Sequence, residues 1–149
     1  MRYASLASGS KGNCHALTDG NQTLLVDAGI SFLQIRTRLE TLGWELTQVK
    51  AVAFTHEHSD HIAALPVLLK RTNWAVLATE ATLGAICRIQ GVEVPLARWV
   101  PLRAGHATLW EGWRILPFST PHDAADPVAY RVEAGGRAVG VVTDLGHPT

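Results

Sequence analysis

The segment THEHSDH, residues 55–61, carries four side chains that can bind a metal ion within six positions: His56, His58, Asp60 and His61. In extended residues after a strand, His56 and His58 project to the same side, because side chains alternate along a strand. Asp60 and His61 come at a turn into a helix and can point to a neighbouring position. Imidazole nitrogens and carboxylates bind zinc, iron and manganese. The spacing therefore predicts two metal ions side by side.

A simpler interpretation is that these histidines cap the helix or lie in solvent. For one isolated histidine at the end of a strand, that interpretation is the better one. Four ligand-type residues at this spacing favour the metal site instead.

A strand before this segment and a helix after it must hold the four side chains in place. VKAVAFT predicts a buried strand that ends at the histidines, and IAALPVLLKRT, residues 62–72, predicts a helix with Pro66 in its first turn. Upstream, Ser31 is a good N-cap for a helix that ends before Gly43. WAVLAT and EATLGAICRIQG predict one more strand and one more helix. This alternation predicts an α/β architecture.

Short strands with tight turns are predicted on both sides of this α/β section. RYASLAS, CHALT and QTLLVDAG predict a β-meander before the first helix. Beyond residue 100, TLWEGWRILPF, VAYRVEA and RAVGVVTD predict antiparallel strands. Because no internal repeat or Pro/Ser-rich linker separates the sections, residues 1–149 are expected to form one domain with a second sheet.

Composition limits the classes of partner and the cellular location. Thirteen basic residues balance thirteen acidic ones, so there is no overall field that would attract nucleic acid or an anionic membrane. The sequence has no signal-peptide pattern and no apolar run long enough to span a membrane. Cys14 and Cys87 form no close pair, which favours a reducing compartment. We therefore expect a cytoplasmic protein without a membrane partner.

The histidine segment and its surroundings resemble the metallo-β-lactamase superfamily. THEHSDH is similar to the His-x-His-x-Asp-His motif of that superfamily, and LLVDAG matches its upstream Asp-x-Gly at Asp27 and Gly29. FSTPHDAADPVAY supplies a downstream histidine, His122, and VGVVTDLG supplies an aspartate after a strand, Asp144. SGSKGN, PHDAADPVAY and TDLG are further similar to the branch of YycJ/WalJ-type DNA exonucleases.

The resemblance implies the αββα sandwich of that superfamily, with the first half and the start of the second sheet present and the C-terminal part truncated. It implies two divalent metal ions, with zinc as first choice and manganese or iron as alternatives. The first metal would have His56, His58 and His122 as ligands. The second would have Asp60 and His61, Asp144 would bridge both, and Asp60 is the candidate catalytic residue. The last metal-ligand histidine of the superfamily has no counterpart, so we expect partial occupancy of the second position.

Two other features carry open alternatives. Asp27 either orients a ligand imidazole through its other ring nitrogen or accepts hydrogen bonds from turn amides. The loop GSKGN either offers its amides and Lys11 to a phosphate or forms an ordinary β-turn.

The function implied by the resemblance is metal-dependent hydrolysis by a metal-bound hydroxide, as in a phosphodiesterase or DNA exonuclease. Single-stranded DNA or another phosphodiester would be the substrate. One alternative is a thioester, lactone or β-lactam hydrolase with the same fold, and another is a non-catalytic remnant that binds metal. We expect apolar surface on WRILPF and RAVGVVT to favour a homodimer, and turnover below that of a complete enzyme of this type.

Overall fold

The computed structural model describes residues 1–141, which form two β-sheets and four α-helices. The strands are β1 (Arg2–Ala7), β2 (Cys14–Thr18), β3 (Thr23–Val26), β4 (Val49–Ala53), β5 (Ala75–Thr79), β6 (Trp99–Leu102), β7 (Thr108–Trp110), β8 (Trp113–Ser119), β9 (Val128–Ala134) and β10 (Arg137–Val141). The helices are α1 (Phe32–Thr41), α2 (Ser59–Ile62), α3 (Leu65–Arg71) and α4 (Glu80–Gln90), with 3₁₀ turns at Leu46–Gln48 and Leu96–Arg98.

The two sheets differ in the direction of their strands. The first has the order β1-β2-β3-β4-β5-β6, antiparallel from β1 to β3 and parallel from β3 to β6. The second has the order β10-β9-β8-β7 and is antiparallel throughout. The predicted meander, the α/β alternation and the later antiparallel strands are therefore confirmed.

Each face of the first sheet is covered by a different layer. Along β3, Leu25 packs on the helix side, whereas Leu24 and Val26 pack against the second sheet. The helix-side cluster includes Ile35 and Leu39 of α1. Because side chains alternate along a strand, one short apolar run supplies both interfaces. The layers are helices, first sheet and second sheet, in that order.

Side-chain caps define the ends of the two longest helices. Ser31 accepts a hydrogen bond from the Gln34 amide, and the Gln34 side chain returns to the Ser31 amide, which completes a capping box. Gly43, just past the last residues of α1, has φ +75°, as expected for a residue that ends a helix. Thr79 caps α4, and Gly91 ends it in the left-handed conformation. The ends predicted for α1 at Ser31 and Gly43 are confirmed.

Two regions of the structure differ from the sequence-based expectation. The helix expected over residues 62–72 is shorter than predicted and corresponds to α3, Leu65–Arg71. Residues 59–62 form the separate helix α2, and between the two helices the Ala64 amide donates to the Ala28 carbonyl at 2.9 Å. Pro66 lies in the first turn of α3, as predicted. β6 was not predicted, since Pro101 interrupts its pattern. Proline has no amide hydrogen to donate, but β6 is the edge strand of the first sheet, where a missing donor is tolerated.

The outer surface shows less exposed apolar area on β8 than expected. Trp113 and Ile115 are buried between the sheets, while Phe118 is 37% exposed. Leu109 of β7 is 78% exposed. Within residues 1–141, no helix combines the length and the apolar character needed to cross a membrane.

Three backbone segments meet near the carboxyl ends of β3 and β4. The Gly29 amide donates to the Asn13 carbonyl, and the Ala28 amide donates to the His61 carbonyl, both at 2.8 Å. A Cβ atom on Gly29 would lie 1.7 Å from the Asp60 carbonyl oxygen. Only glycine therefore allows the loop after β3 to contact the start of α2.

Replacement of Gly29 by alanine should lower the free energy of unfolding by at least about 3 kcal/mol, because two backbone segments must separate. Urea denaturation monitored by circular dichroism measures this loss. Gly84→Ala is the matched control, since its Cβ would meet only the end of the Arg88 side chain at 3.3 Å. That helical substitution should be neutral or stabilise by up to about 1 kcal/mol. Similar losses in both variants would contradict the close-contact explanation.

Candidate metal centre

Three histidines from two distant segments come together at the carboxyl edge of the first sheet. One ligand atom from each of His56, His58 and His122 lies within 4.8 Å of the other two. Nδ1 of His58 and Nε2 of His122 are 3.1 Å apart. Nitrogens bound to one zinc ion at about 2.0–2.1 Å lie within roughly 4.2 Å of one another. The distance between His58 and His122 lies within that limit, and three imidazole donors this close together could hold a divalent metal ion.

The loop between β8 and β9 brings His122 to this edge, and four hydrogen bonds hold that loop against the histidine segment and the first turn of α4. The Val128 amide donates to the Thr55 carbonyl at 3.0 Å, and the Ala125 amide donates to Glu57 Oε2 at 2.9 Å. Thr82 Oγ1 donates to the Asp126 carbonyl at 3.2 Å. His58 Nε2 donates to the Asp123 carbonyl at 2.7 Å. Residues of the histidine segment thus position the histidine contributed by the second sheet.

Hydrogen bonds on one ring nitrogen determine which nitrogen each imidazole can offer to a metal. Because His58 Nε2 donates to a carbonyl, its Nδ1 carries the lone pair and faces His122. Nδ1 of His61 lies 2.7 Å from Asp27 Oδ2, so it donates to the carboxylate and leaves Nε2 as the acceptor. Nδ1 of His56 lies 2.8 Å from Thr55 Oγ1. We assign these tautomers from the partners of each ring.

Asp27 links the two halves of the centre. Its carboxylate is fully buried and accepts from the Thr55 amide at 2.8 Å, from Thr55 Oγ1 at 2.7 Å and from His61. Since the Thr55 hydroxyl donates to Asp27, it accepts from His56 Nδ1. The sequence left open whether Asp27 orients an imidazole or accepts backbone amides, and the structure shows both contacts.

Asp60 and His61 form a second group beside the three histidines. His61 Nε2 lies 3.6 Å from Asp60 Oδ2, and the rings of His56 and His61 have centroids 4.0 Å apart. His61 is fully buried, whereas the Asp60 side chain is 25% exposed. Asp144, the predicted bridging ligand, lies outside the described residues 1–141. The predicted metal roles of these residues stay predictions.

Sequence reasoning missed the part that Asn13 plays beside Asp60 and His61. Nδ2 of Asn13 lies 3.1 Å from Asp60 Oδ2 and 3.2 Å from His61 Nε2. Asn13 is the last residue of the loop GSKGN. The available signal was an asparagine at the end of a Gly-rich turn, because asparagine side chains often form hydrogen bonds with nearby backbone groups.

The same loop uses its amides within the protein. The Gly9 amide donates to Asn13 Oδ1, the Gly12 amide to the Gly9 carbonyl and the Asn13 amide to the Asp60 carbonyl. Lys11 is exposed. Of the two alternatives for this loop, these contacts favour the ordinary turn.

Burial lowers the pKa of His56 to about 4, helped by the neighbouring His61 and opposed by the negative charge of Asp27. The side chain is only 2% exposed, so water does little to stabilise the charged imidazolium. Neutral imidazole is the form that binds metal. His56 is therefore held in its metal-binding form over a wider pH range than a solvated histidine.

A family described as "Beta-lactamase superfamily domain" matches residues 22–149 of this chain. The chain is 31% identical to exodeoxyribonuclease YycJ of Bacillus anthracis over 147 residues, and to exodeoxyribonuclease WalJ of Streptococcus pneumoniae over 148 residues. Each match covers 99% of this chain and 55% of the relative, so the chain spans about half the length of these relatives.

Among solved structures, a metallo-β-lactamase from Cronobacter sakazakii superposes with a TM-score of 0.73 at 20% identity. The superposition covers 97% of this chain and 56% of that one. The Rm3 metallo-β-lactamase gives a TM-score of 0.72 at 19% identity, over 97% of this chain and 62% of that one. At such low identity the likeness concerns the fold alone.

Replacement of His58 by alanine should weaken zinc binding by more than about 100-fold, because loss of an outer hydrogen-bond partner alone costs 10–100-fold. Elemental analysis after dialysis, together with chelator competition, measures this change. His106→Ala is the matched control, since His106 is exposed in a turn and is not one of the three clustered histidines. Equal metal content in the two variants would refute the assignment of His58 as a ligand.

Proposed function

Since this chain belongs to the β-lactamase superfamily, we propose that it is a metal-dependent hydrolase that cleaves phosphodiester bonds in single-stranded DNA. The observation that carries the proposal is the convergence of His56, His58 and His122 at one edge of the first sheet. Similarity to two proteins named exodeoxyribonucleases, over 99% of this chain, supports the choice of a phosphodiester as substrate.

The proposed centre has two positions. His56, His58 and His122 would hold the first ion, while Asp60 and His61, with Asp144, would hold the second. We propose zinc, with manganese or iron as alternatives, because the donors are imidazole and carboxylate. The first position should fill before the second, since it has three imidazoles. Bound there, the ions would supply a Lewis acid for the phosphoryl oxygen and would make water more acidic.

The residues of the chain prepare this centre by fixing protons on the ring atoms that do not bind metal. Asp27 keeps a proton on His61 Nδ1, and through the Thr55 hydroxyl it keeps one on His56 Nδ1. The carbonyl of Asp123 keeps a proton on His58 Nε2. All three opposite nitrogens are thereby available as ligands without any change of tautomer.

The open side of the centre determines where a substrate can approach. His56 and His61 are buried, whereas His58 and His122 are partly exposed. Asp60 is also partly exposed, and its Oδ2 can accept a hydrogen bond from an attacking water. We therefore propose Asp60 as the catalytic carboxylate, with the phosphodiester entering past His58 and His122.

Hydrolysis of a thioester, lactone or β-lactam is the alternative enzyme function, because the proposed metal site suits those reactions equally well. The solved metallo-β-lactamases that resemble this chain do so at 19–20% identity, which supports the fold and not their substrate. A non-catalytic metal-binding protein is the third outcome. The phosphodiester is preferred because the relatives at 31% identity carry nuclease names.

With zinc or manganese, the chain should cleave an end-labelled single-stranded DNA and bis(p-nitrophenyl) phosphate, and EDTA should abolish both activities. His58→Ala should lower the rate by at least about 100-fold, as expected for loss of a metal ligand, while His106→Ala should stay within about twofold of wild type. Hydrolysis of thioester, lactone or β-lactam substrates alone would favour the alternative enzyme. Metal binding without any hydrolysis would favour the non-catalytic function.

The homodimer and the cytoplasmic location also stay proposals. Among the described strands, β10 pairs with β9 alone, and Leu109 and Phe118 are exposed on the same sheet. The open edge of β10 can pair with a second copy of the chain, and the exposed side chains of Leu109 and Phe118, on β7 and β8 in the other half of the sheet, can contact one. Light scattering should give about twice the 16.1 kDa mass of the chain. A stable monomer at micromolar concentration would contradict the dimer.

A further inference from the structure

The side chain of Asn13 is buried against both members of the second metal-binding group. It is 4% exposed, and its Nδ2 lies 2.9 Å from the Gly9 carbonyl, 3.1 Å from Asp60 Oδ2 and 3.2 Å from His61 Nε2. The Asp60 carbonyl is a further acceptor at 3.3 Å. An amide nitrogen carries two protons, so it divides them among these acceptors.

The backbone on either side of this amide fixes where its protons point. Asn13 Oδ1 accepts from the Gly9 amide at 3.1 Å. The Asn13 amide donates to the Asp60 carbonyl, and the Asn13 carbonyl accepts from the Gly29 amide, both at 2.8 Å. The side chain is thus held at both ends, and its amide nitrogen faces Asp60 and His61.

The atoms that this amide contacts are acceptors. His61 donates from Nδ1 to Asp27, so its Nε2 presents a lone pair. Asp60 Oδ2 is a carboxylate oxygen 3.6 Å from that nitrogen. Two acceptors this close in a largely buried place repel each other, and a donor that contacts both offsets the repulsion. Asn13 Nδ2 is such a donor.

A divalent cation at the second position would use the same two atoms. The lone pair of His61 Nε2 can be given to an amide proton or to a metal ion, but not to both. We propose that the Asn13 amide substitutes for the cation at Asp60 and His61, so that this half of the centre keeps its shape when the ion leaves. The inference rests on the proposed second metal position and makes Asn13 a positioning residue, not a ligand.

The best test is Asn13→Asp, which keeps the shape of the side chain and the acceptor for the Gly9 amide but replaces the donor by an acceptor. In EDTA the melting temperature should fall by roughly 5 °C or more. With saturating zinc or manganese, the difference from wild type should shrink to less than about 2 °C, because the cation then separates the acceptors. Differential scanning fluorimetry with and without metal measures both values.

Two further variants isolate the role of the donor. Asn13→Ala loses the donor without adding charge, so it should show the same metal-dependent rescue as Asn13→Asp to a smaller degree. Asn73→Asp is the matched control for the charge change, because Asn73 is exposed. The change in melting temperature caused by Asn73→Asp should be the same in EDTA and in saturating zinc or manganese.

The outcomes separate this inference from the proposed function. If wild type shows no metal-dependent stabilisation, the proposed metal centre fails. If wild type is stabilised by metal but Asn13→Asp loses the same stability with and without metal, or folds in neither condition, Asn13 has a purely structural role and only this inference fails. Loss of the second metal equivalent in Asn13→Ala would also overturn it, since a substitute for the cation is not needed when the cation is bound.

Discussion

The hydrogen bonds to the fully buried carboxylate of Asp27 are the interactions on which the whole centre depends. Removing a carboxylate from water is costly, and here three donors compensate: the Thr55 amide, the Thr55 hydroxyl and the His61 ring. Those same donors hold the two most deeply buried histidines of the centre, His56 and His61, in place. Asp27 itself has φ +65°, a conformation that few residues other than glycine adopt. Its amide donates to the Ala53 carbonyl at 2.7 Å, which fixes this turn beside β4.

The backbone therefore sets the geometry of the centre independently of any metal ion. The parallel strands β3, β4 and β5 end at one edge, and the segments that leave them carry Asp27, the histidine segment and the cap of α4. Gly29 allows the first of these segments to contact the start of α2, where Asp60 and His61 lie. The loop between β8 and β9 then completes the set with His122. The main chain fixes where these residues lie, and side-chain hydrogen bonds mainly determine the tautomers of the histidines.

Local patterns predicted most of the elements and the proximity of His56 and His58. The period of two after β4 placed His56 and His58 on one side, and the caps of α1 followed from Ser31 and Gly43. These local predictions agree with the structure because each depends on residues a few positions apart, while the metal roles of His56 and His58 stay predictions. His122 was assigned through the family resemblance, since no local pattern relates a loop histidine to a segment 64 residues earlier.

The contributions of Thr55, Asn13 and Glu57 could not be predicted in the same way. Their decisive contacts join residues separated by 28, 47 and 68 positions in sequence, and each residue type is common in turns. β6 was missed for a related reason, because Pro101 argues against a strand until its position at the sheet edge is known. Long-range position, and not residue type, gives these residues their role.

The attachment of the His122 loop to the first sheet has a consequence for the order in which the protein forms. Residues up to β6 can collapse around helices and neighbouring strands, with contacts that are mostly close in sequence. The three-histidine cluster is complete only after the second sheet has docked, which closes a loop of 64 residues between His58 and His122. An ion held by all three would join the sheets late in folding. Its main kinetic effect would then be to slow unfolding, since its bonds are absent from an early transition state.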